Sequence, residues 1–191
     1  MTLRAVSRWL GLAAFLCAPL LLLAATNEGL RDASKFYQQG QLAQALERVE
    51  AVLATAPQDV GARFLKGVIL TAQNHNAEAI QMFTTLTRDY PELPEPHNNL
   101  AVLYAAQGQY ENARTELELA IGNNPDYAIA RENLGDLYVQ LATREYERAS
   151  TLDRNNTSAA PKLKLIKQII VGKDRKTPLS AAPQTQPLLK P

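Results

Sequence analysis

Few residues in this 191-residue chain could do covalent or metal chemistry. The two histidines, His75 and His97, lie in different segments, and neither has a second ligand at metal-binding spacing. His75 falls in the polar turn "AQNHNAE" and reads as a solvated residue, and His97 reads as a packing residue. The one cysteine, Cys17, sits inside an N-terminal apolar run, so the rest of the chain has no disulfide and no thiol chemistry. It is a poor lipid-attachment cysteine, because Leu16 stands just before it where such signals need a small residue. There is no phosphate-cradling glycine loop and no nucleophile elbow. The carboxylates are plentiful but fall on faces where charge usually serves solvation. "NNTS", residues 155–158, holds overlapping Asn-x-Ser/Thr sequons and reads more simply as polar residues that end a helix. These residues predict no enzyme, no metal site and no cofactor. What remains is amide chemistry. Asn99 and Asn133 are 34 residues apart, and each side chain can donate and accept. A row of such amides can grip the backbone of an extended peptide, or it can simply bond neighbouring helices.

The spacing of that pair is the spacing of the whole central chain. Ala33, Gly67, Ala101 and Gly135 are 34 residues apart in succession, as are Ala45, Ala79 and Ala113, and Pro57, Pro91 and Pro125. A fixed period of this size sets the architecture before anything else. No stretch of residues 26–153 alternates with period two, so strands are not expected. Each 34-residue unit reads as two helices around a short turn. In the third unit helix A is predicted over about 94–107 and helix B over about 110–122, with Gly108 at the turn and Pro125 as the stop.

The flanks are different. "MTLRAVSRWLGLAAFLCAPLLLLAATNEG" opens with Arg4 and Arg8, continues as an uncharged apolar run from Trp9 to Ala25, and ends in small residues. It reads as a secretory signal over 1–25, with an uncleaved membrane anchor as the other reading. Both place the body across a membrane, and a bacterial periplasm is the expected compartment. The net charge of +1 hides an asymmetry, with −8 over residues 26–153 and +7 over residues 154–191. An acidic body with a basic tail is not the profile of a nucleic-acid-binding protein. Residues 154–172 predict a basic amphipathic helix, with Leu163, Ile166 and Ile170 on one face and Lys162, Lys164 and Lys167 among the rest. It would cover the open end of a repeat stack or lie on a membrane surface. Residues 173–191 are Pro-rich and read as disordered.

The repeat units, taken from Thr26, Val60, Pro94 and Ala128, resemble tetratricopeptide repeats, which carry small residues at repeat positions 8 and 20 and proline at 32. Phe36, Leu70, Tyr104 and Tyr138 fall at position 11, and Val49, Phe83 and Leu117 at position 24. The resemblance implies an all-α fold, a right-handed α-α superhelix of about 3.5 repeats with a C-terminal capping helix. The fourth unit departs. After Tyr138, "VQLATREYERASTLD" matches a helix B only if five residues are missing from the turn, and no glycine separates the halves. One continuous helix from about 128 to 152 is therefore predicted.

The resemblance also implies a concave groove lined by helix A. Matching positions place Phe64, Val68 and Thr71 there from unit two, Asn98, Asn99 and Val102 from unit three, and Glu132, Asn133 and Asp136 from unit four. The basic groove residues with which chaperone-binding tetratricopeptide domains clamp a carboxylate are absent, so no such clamp is expected. The implied function is a non-catalytic adaptor of the bacterial cell envelope holding a partner protein or peptide. A membrane-tethered self-assembling scaffold is the alternative.

Overall fold

A computed structural model describes residues 26–153 and 157–172, with side chains through residue 168. The signal or anchor read at 1–25 and the tail read at 173–191 lie outside the described residues, as do the side chains of Ile169 and Ile170. Among the described residues eight helices follow one another: α1 over residues 26–38, α2 Leu42–Thr55, α3 Val60–Ala72, α4 Asn76–Asp89, α5 Pro94–Ala106, α6 Tyr110–Asn123, α7 Ala128–Leu152 and α8 Ala159–Gly172. There is no strand among the described residues. The fold is all-α and built on a helix–turn–helix repeat. The last helix begins at Ala159 rather than at 154.

Two kinds of turn recur at the 34-residue period. Gly40, Asn74 and Gly108 all have positive φ, at 73°, 62° and 74°. In each case the next residue's N–H reaches back five residues: Gln41 to Phe36, His75 to Leu70 and Gln109 to Tyr104, all at 2.9 Å. This is the left-handed helix stop in which one residue without a steric penalty closes off the dangling carbonyls. Asparagine serves at 74 because its short side chain tolerates that conformation. The second kind of turn brings helix B to helix A. The N–H groups of Ala56, Tyr90 and Asn124 still bond to the helix behind them, at 2.8, 2.8 and 3.0 Å. The next residue is Pro57, Pro91 or Pro125, which has no N–H and cannot continue the ladder.

The chain forms two compact bodies that meet in sequence at the turn between His75 and Asn76. In the first body, Ala33, Ala45, Val49, Val52, Ala62, Leu65 and Ile69 form one core, with Leu30, Phe36, Tyr37, Leu46 and Leu53 packed against it. Lys66 on α3 bonds Glu50 on α2 at 2.7 Å. In the second body, α5 packs on α6 with Ala101, Ala113 and Leu117 fully buried. α6 packs on α7, and α7 on α8. Alanine at these places lets two helices approach without a side chain between them, while Phe83, Leu86, Leu100 and Leu137 fill the remaining volume.

The fourth unit does not fold back. α7 runs unbroken for 25 residues. Ala142 stands one period after Gly108, and alanine in the left-handed region would cost about 1–2 kcal/mol. The helix therefore continues, and α8 packs on α7, with Lys167 bonded to Glu147 at 2.9 Å and Lys162 over the Tyr146 ring. Gly135, expected as a small residue under a close helix contact, is instead exposed, and a Cβ added there meets nothing within 4 Å.

Two substitutions test this packing by urea denaturation. Ala113→Leu forces a larger side chain into a filled contact and is expected to lose about 1–3 kcal/mol. Gly135→Ala adds a methyl group in open space on a helix and is expected to gain about 0.5–1 kcal/mol. A loss at Gly135 would mean that a second helix does close on it.

Candidate functional site

The second body carries the polar face of interest. Pro94 starts α5 with its fixed φ, and Glu95 follows in the first turn. Glu95, Asn98, Asn99 and Val102 then fall at i, i+3, i+4 and i+7, so they share one face of α5. α7 supplies Glu132, Asn133 and Asp136, and Tyr127 sits at its N-cap. Asn133 on α7 donates through Nδ2 to Oδ1 of Asn98 at 2.7 Å, and the two residues are 1% and 0% exposed. A hydrogen bond between two buried amides fixes α5 and α7 in register, since each polar group needs a partner away from water.

This pairing bears on the expected row of amides. Asn133 uses its amide hydrogen on Asn98, the role of bonding neighbouring helices. Asn99 is buried as well. Of the expected groove residues in this body, Val102 and Asp136 are partly exposed and Glu132 is exposed. In the first body, Phe64 and Val68 are buried, and Thr71 is partly exposed with its hydroxyl donating to the Gly67 carbonyl at 2.9 Å.

Two polar groups that the sequence did not single out belong to the same face. Glu95 Oε2 and the Tyr127 hydroxyl are both closed off from solvent, and neither has a hydrogen-bond partner among the described residues. Burial pushes the Glu95 carboxyl above its usual range, partly offset by a hydrogen bond from its own backbone N–H. Burial also pushes the Tyr127 hydroxyl well up, and the neighbouring Glu95 charge pushes it further. Glu95 could have been found from the sequence, since it lies one helical turn before Asn98 on the same face. Tyr127 carried no such mark, because a tyrosine between Pro125 and a helix reads as part of a turn.

His97 is more than a packing residue. It is 5% exposed, with Nδ1 at 2.6 Å from Glu116 Oε2 on α6 and Nε2 at 3.1 Å from the Pro91 carbonyl. Both ring nitrogens thus lie at hydrogen-bond distance from an oxygen. Asn123 donates to the same Pro91 carbonyl at 2.6 Å. His97 thus ties α5, α6 and the turn before α5 together, and both its nitrogens are committed. Among the described residues, no group of three or more His, Cys, Asp or Glu side chains is placed to hold a metal ion.

The pH dependence of Glu95 gives a test of its environment. A carboxyl whose pKa rises on folding holds its proton more tightly in the native state. Its contribution to stability is full below the unfolded carboxyl range and is lost as pH rises through the raised value. Glu95→Gln removes that loss. The variant is expected to have a higher Tm than the native chain at pH 7 and about the same Tm near pH 4. A lower Tm at pH 7 would show that the ionised carboxylate is well solvated.

Comparison with known proteins agrees with this architecture. A profile of the tetratricopeptide repeat family matches residues 36–103 and 70–137. Two relatives from Arabidopsis thaliana are similar to parts of the chain. The chloroplastic tetratricopeptide repeat domain-containing protein PYG7 is 29% identical over 100 residues, which covers 46% of this chain and 33% of that protein. The TPR repeat-containing thioredoxin TTL4 is 28% identical over 103 residues, 54% of this chain and 15% of that protein. The chain thus spans a third or less of these relatives' lengths. Among solved structures, a tetratricopeptide repeat protein from Parabacteroides merdae superposes with a TM-score of 0.56 at 20% identity, covering 78% of this chain and 61% of that one. The Naa15/Naa10 complex bound to HypK-THB contains a chain that superposes with a TM-score of 0.53 at 18% identity, covering 77% of this chain and 23% of that one. With the 34-residue period, the paired helices and the family profile in agreement, the chain belongs to the tetratricopeptide repeat family, whose fold serves protein–protein interaction.

Proposed function

We propose that this protein is a non-catalytic adaptor of the bacterial cell envelope, exported to the periplasm, which holds an extended segment or a helix of a partner protein against its A-helix faces. The observation that carries the reading is the face shared by α5 and α7. A buried Asn98–Asn133 bond fixes it, and Val102, Glu132 and Asp136 remain open to contact on it. Such a face offers apolar surface, amide groups and negative charge, and no nucleophile with an adjacent base. Export is supported by Arg4, Arg8 and the apolar run that follows them.

A second reading, a membrane-tethered scaffold, draws on two apolar side chains near the C-terminal end of the described chain. Leu152 is 79% exposed and Leu165 is 61% exposed, with Lys164 beside the latter. No helix among the described residues is long and apolar enough to cross a membrane. A tether would therefore have to be the N-terminal segment.

Affinity capture from the envelope fraction tests the first reading. The native protein is compared with the triple variant Val102→Lys, Glu132→Lys, Asp136→Lys and with the control Gln81→Lys on α4. The triple variant is expected to lose the recovered partner at least tenfold, while the control keeps it. Equal recovery by all three sinks the groove reading. N-terminal sequencing separates the two readings: a mature chain starting near Thr26 supports the exported adaptor, and an intact Met1 in the membrane fraction supports the tether.

A further inference from the structure

We propose that α1 carries a docking groove for an extended acidic segment of the partner protein, in which Arg31 and Lys35 pair with two side-chain carboxylates set two residues apart. The inference rests on the adaptor reading and deepens it, since it names the charge and the spacing that the first body would select.

The groove is open and runs along a single helix. Its volume is about 370 Å³, and it is lined by Asn27, Leu30, Arg31, Ser34, Lys35 and Gln38. These residues fall at i, i+3, i+4, i+7, i+8 and i+11, so they form one stripe down α1. Leu30 and Ser34 stand one period before Phe64 and Val68, which puts the stripe on the A-helix face that the adaptor reading gives to the partner. Asn27, Arg31, Lys35 and Gln38 are exposed, and Leu30 and Ser34 are partly exposed. A partner therefore reaches all of them without any helix moving.

The charge of the groove is opposite to that of its surroundings. Residues 26–153 carry a net −8, yet the lining holds two cations and no carboxylate. Neither Arg31 nor Lys35 makes a side-chain hydrogen bond or ion pair among the described residues. Acids for such pairs are present on the same helix, since Glu28 lies three residues before Arg31 and Asp32 three before Lys35. That spacing is used on α6, where Glu111 pairs with Arg114 at 2.9 Å. On α1 it is not used, and the two cations line the groove one turn apart, where like charges disfavour each other. An anion laid along the stripe relieves both.

The spacing selects the form of that anion. Arg31 and Lys35 are four residues apart, about 6 Å along the helix axis. They follow one another down the groove and do not converge, so they match two carboxylates on one segment and not a single terminal carboxylate. In an extended chain, residues i and i+2 point to the same side and lie about 6–7 Å apart. An Asp or Glu at every second residue therefore meets both cations in register. Asn27 and Gln38 flank the pair, and their amides can donate to and accept from the backbone of such a segment. The Ser34 hydroxyl donates to the Leu30 carbonyl at 2.9 Å, which leaves its oxygen as an acceptor. Asn27 and Gln38 are eleven residues apart, about 16 Å along the helix, or about five extended residues. A nucleic acid also spaces its charges regularly, but a long polyanion meets the net negative charge of the body around the groove.

The test uses the full 15N-labelled chain at low salt, because pairs between exposed charges are screened. The probes are pentapeptides of alanine, capped at both ends, with Glu at positions two and four, Glu at positions two and three, Gln at two and four, or Lys at two and four. A further peptide has Gln at two and four and a free C-terminus, and an oligothymidylate of eight nucleotides stands for nucleic acid. The alternating Glu peptide is expected to shift the amides of residues 27–38 saturably. The adjacent-Glu peptide, whose acids point to opposite sides, is expected to be several-fold weaker, and the two Gln peptides, the Lys peptide and the oligonucleotide at least tenfold weaker. The double variant Arg31→Gln, Lys35→Gln is expected to bring the alternating Glu peptide down to the capped Gln level. Arg48→Gln, an exposed residue of α2 outside the groove, is expected to leave it unchanged. All three substitutions fall on exposed side chains, and matching amide spectra away from α1 confirm that the variants fold. If both Glu peptides bind alike and Arg48→Gln weakens them as much as the double variant, the attraction is general and the groove is wrong. It is equally wrong if the free C-terminus or the oligonucleotide binds as well as the alternating Glu peptide. If no acidic peptide moves these amides while partner recovery still depends on Val102, Glu132 and Asp136, the α1 groove falls and the adaptor reading stands. If partner recovery fails that dependence as well, both fall.

Discussion

Everything in this structure depends on reversing a helix within a few residues, again and again, at the same interval. Two helices can pack at alanine distance only if the chain between them turns sharply, and the turn used here requires one residue in the left-handed region. Gly40, Asn74 and Gly108 supply it. Gly40 and Gly108 each set the start of the following helix and so decide which face of it meets its predecessor. The buried alanines follow from this geometry: Ala45, Ala79 and Ala113 lie one period apart because the turns before them do. The prolines at 57, 91 and 125 mark the opposite boundary, where a helix must end because its hydrogen-bond ladder has run out of donors.

The same constraint explains where the repeat stops. Ala142 cannot take the left-handed turn cheaply, so α7 keeps going and its second half finds another neighbour. The second half of α7 faces α8 instead, with Lys162 over Tyr146 and Lys167 bonded to Glu147. Gly135 keeps the residue type of its repeat position but has lost the contact that made a small side chain necessary. One missing turn thus converts a hairpin into a long helix with a basic helix laid against it.

The polar interior shows a division of labour. His97 with Glu116 and the Pro91 carbonyl, and Asn98 with Asn133, are closed networks that fix helices in place. Glu95 and Tyr127 are not closed within the chain, although they are no less buried at the atoms concerned. Buried polar groups are favourable when every member is satisfied and costly when one is not. The closed networks tie α5 to α6 and to α7, whereas Glu95 Oε2 and the Tyr127 hydroxyl take no partner among the described residues.

The amino-acid sequence determined the helical period, the turn and stop residues and the failure of the fourth hairpin. All of these follow from short-range rules: glycine or asparagine where φ is positive, proline where a ladder ends, alanine where helices touch. Its repeat positions also placed Asn98, Asn99 and Val102 on one helix A and Asn133 on the next, as the family resemblance implies. What each of those side chains does was not legible, since a partner 35 residues away is chosen by tertiary packing and not by local spacing. Only the folded chain decided that Asn133 spends its amide on Asn98, that His97 bridges Glu116 and a backbone carbonyl, and that Glu95 Oε2 and the Tyr127 hydroxyl are buried without a partner among the described residues. Hydrogen-bond satisfaction and desolvation are properties of the three-dimensional surroundings, and a one-dimensional pattern carries them only where the chain is its own neighbour.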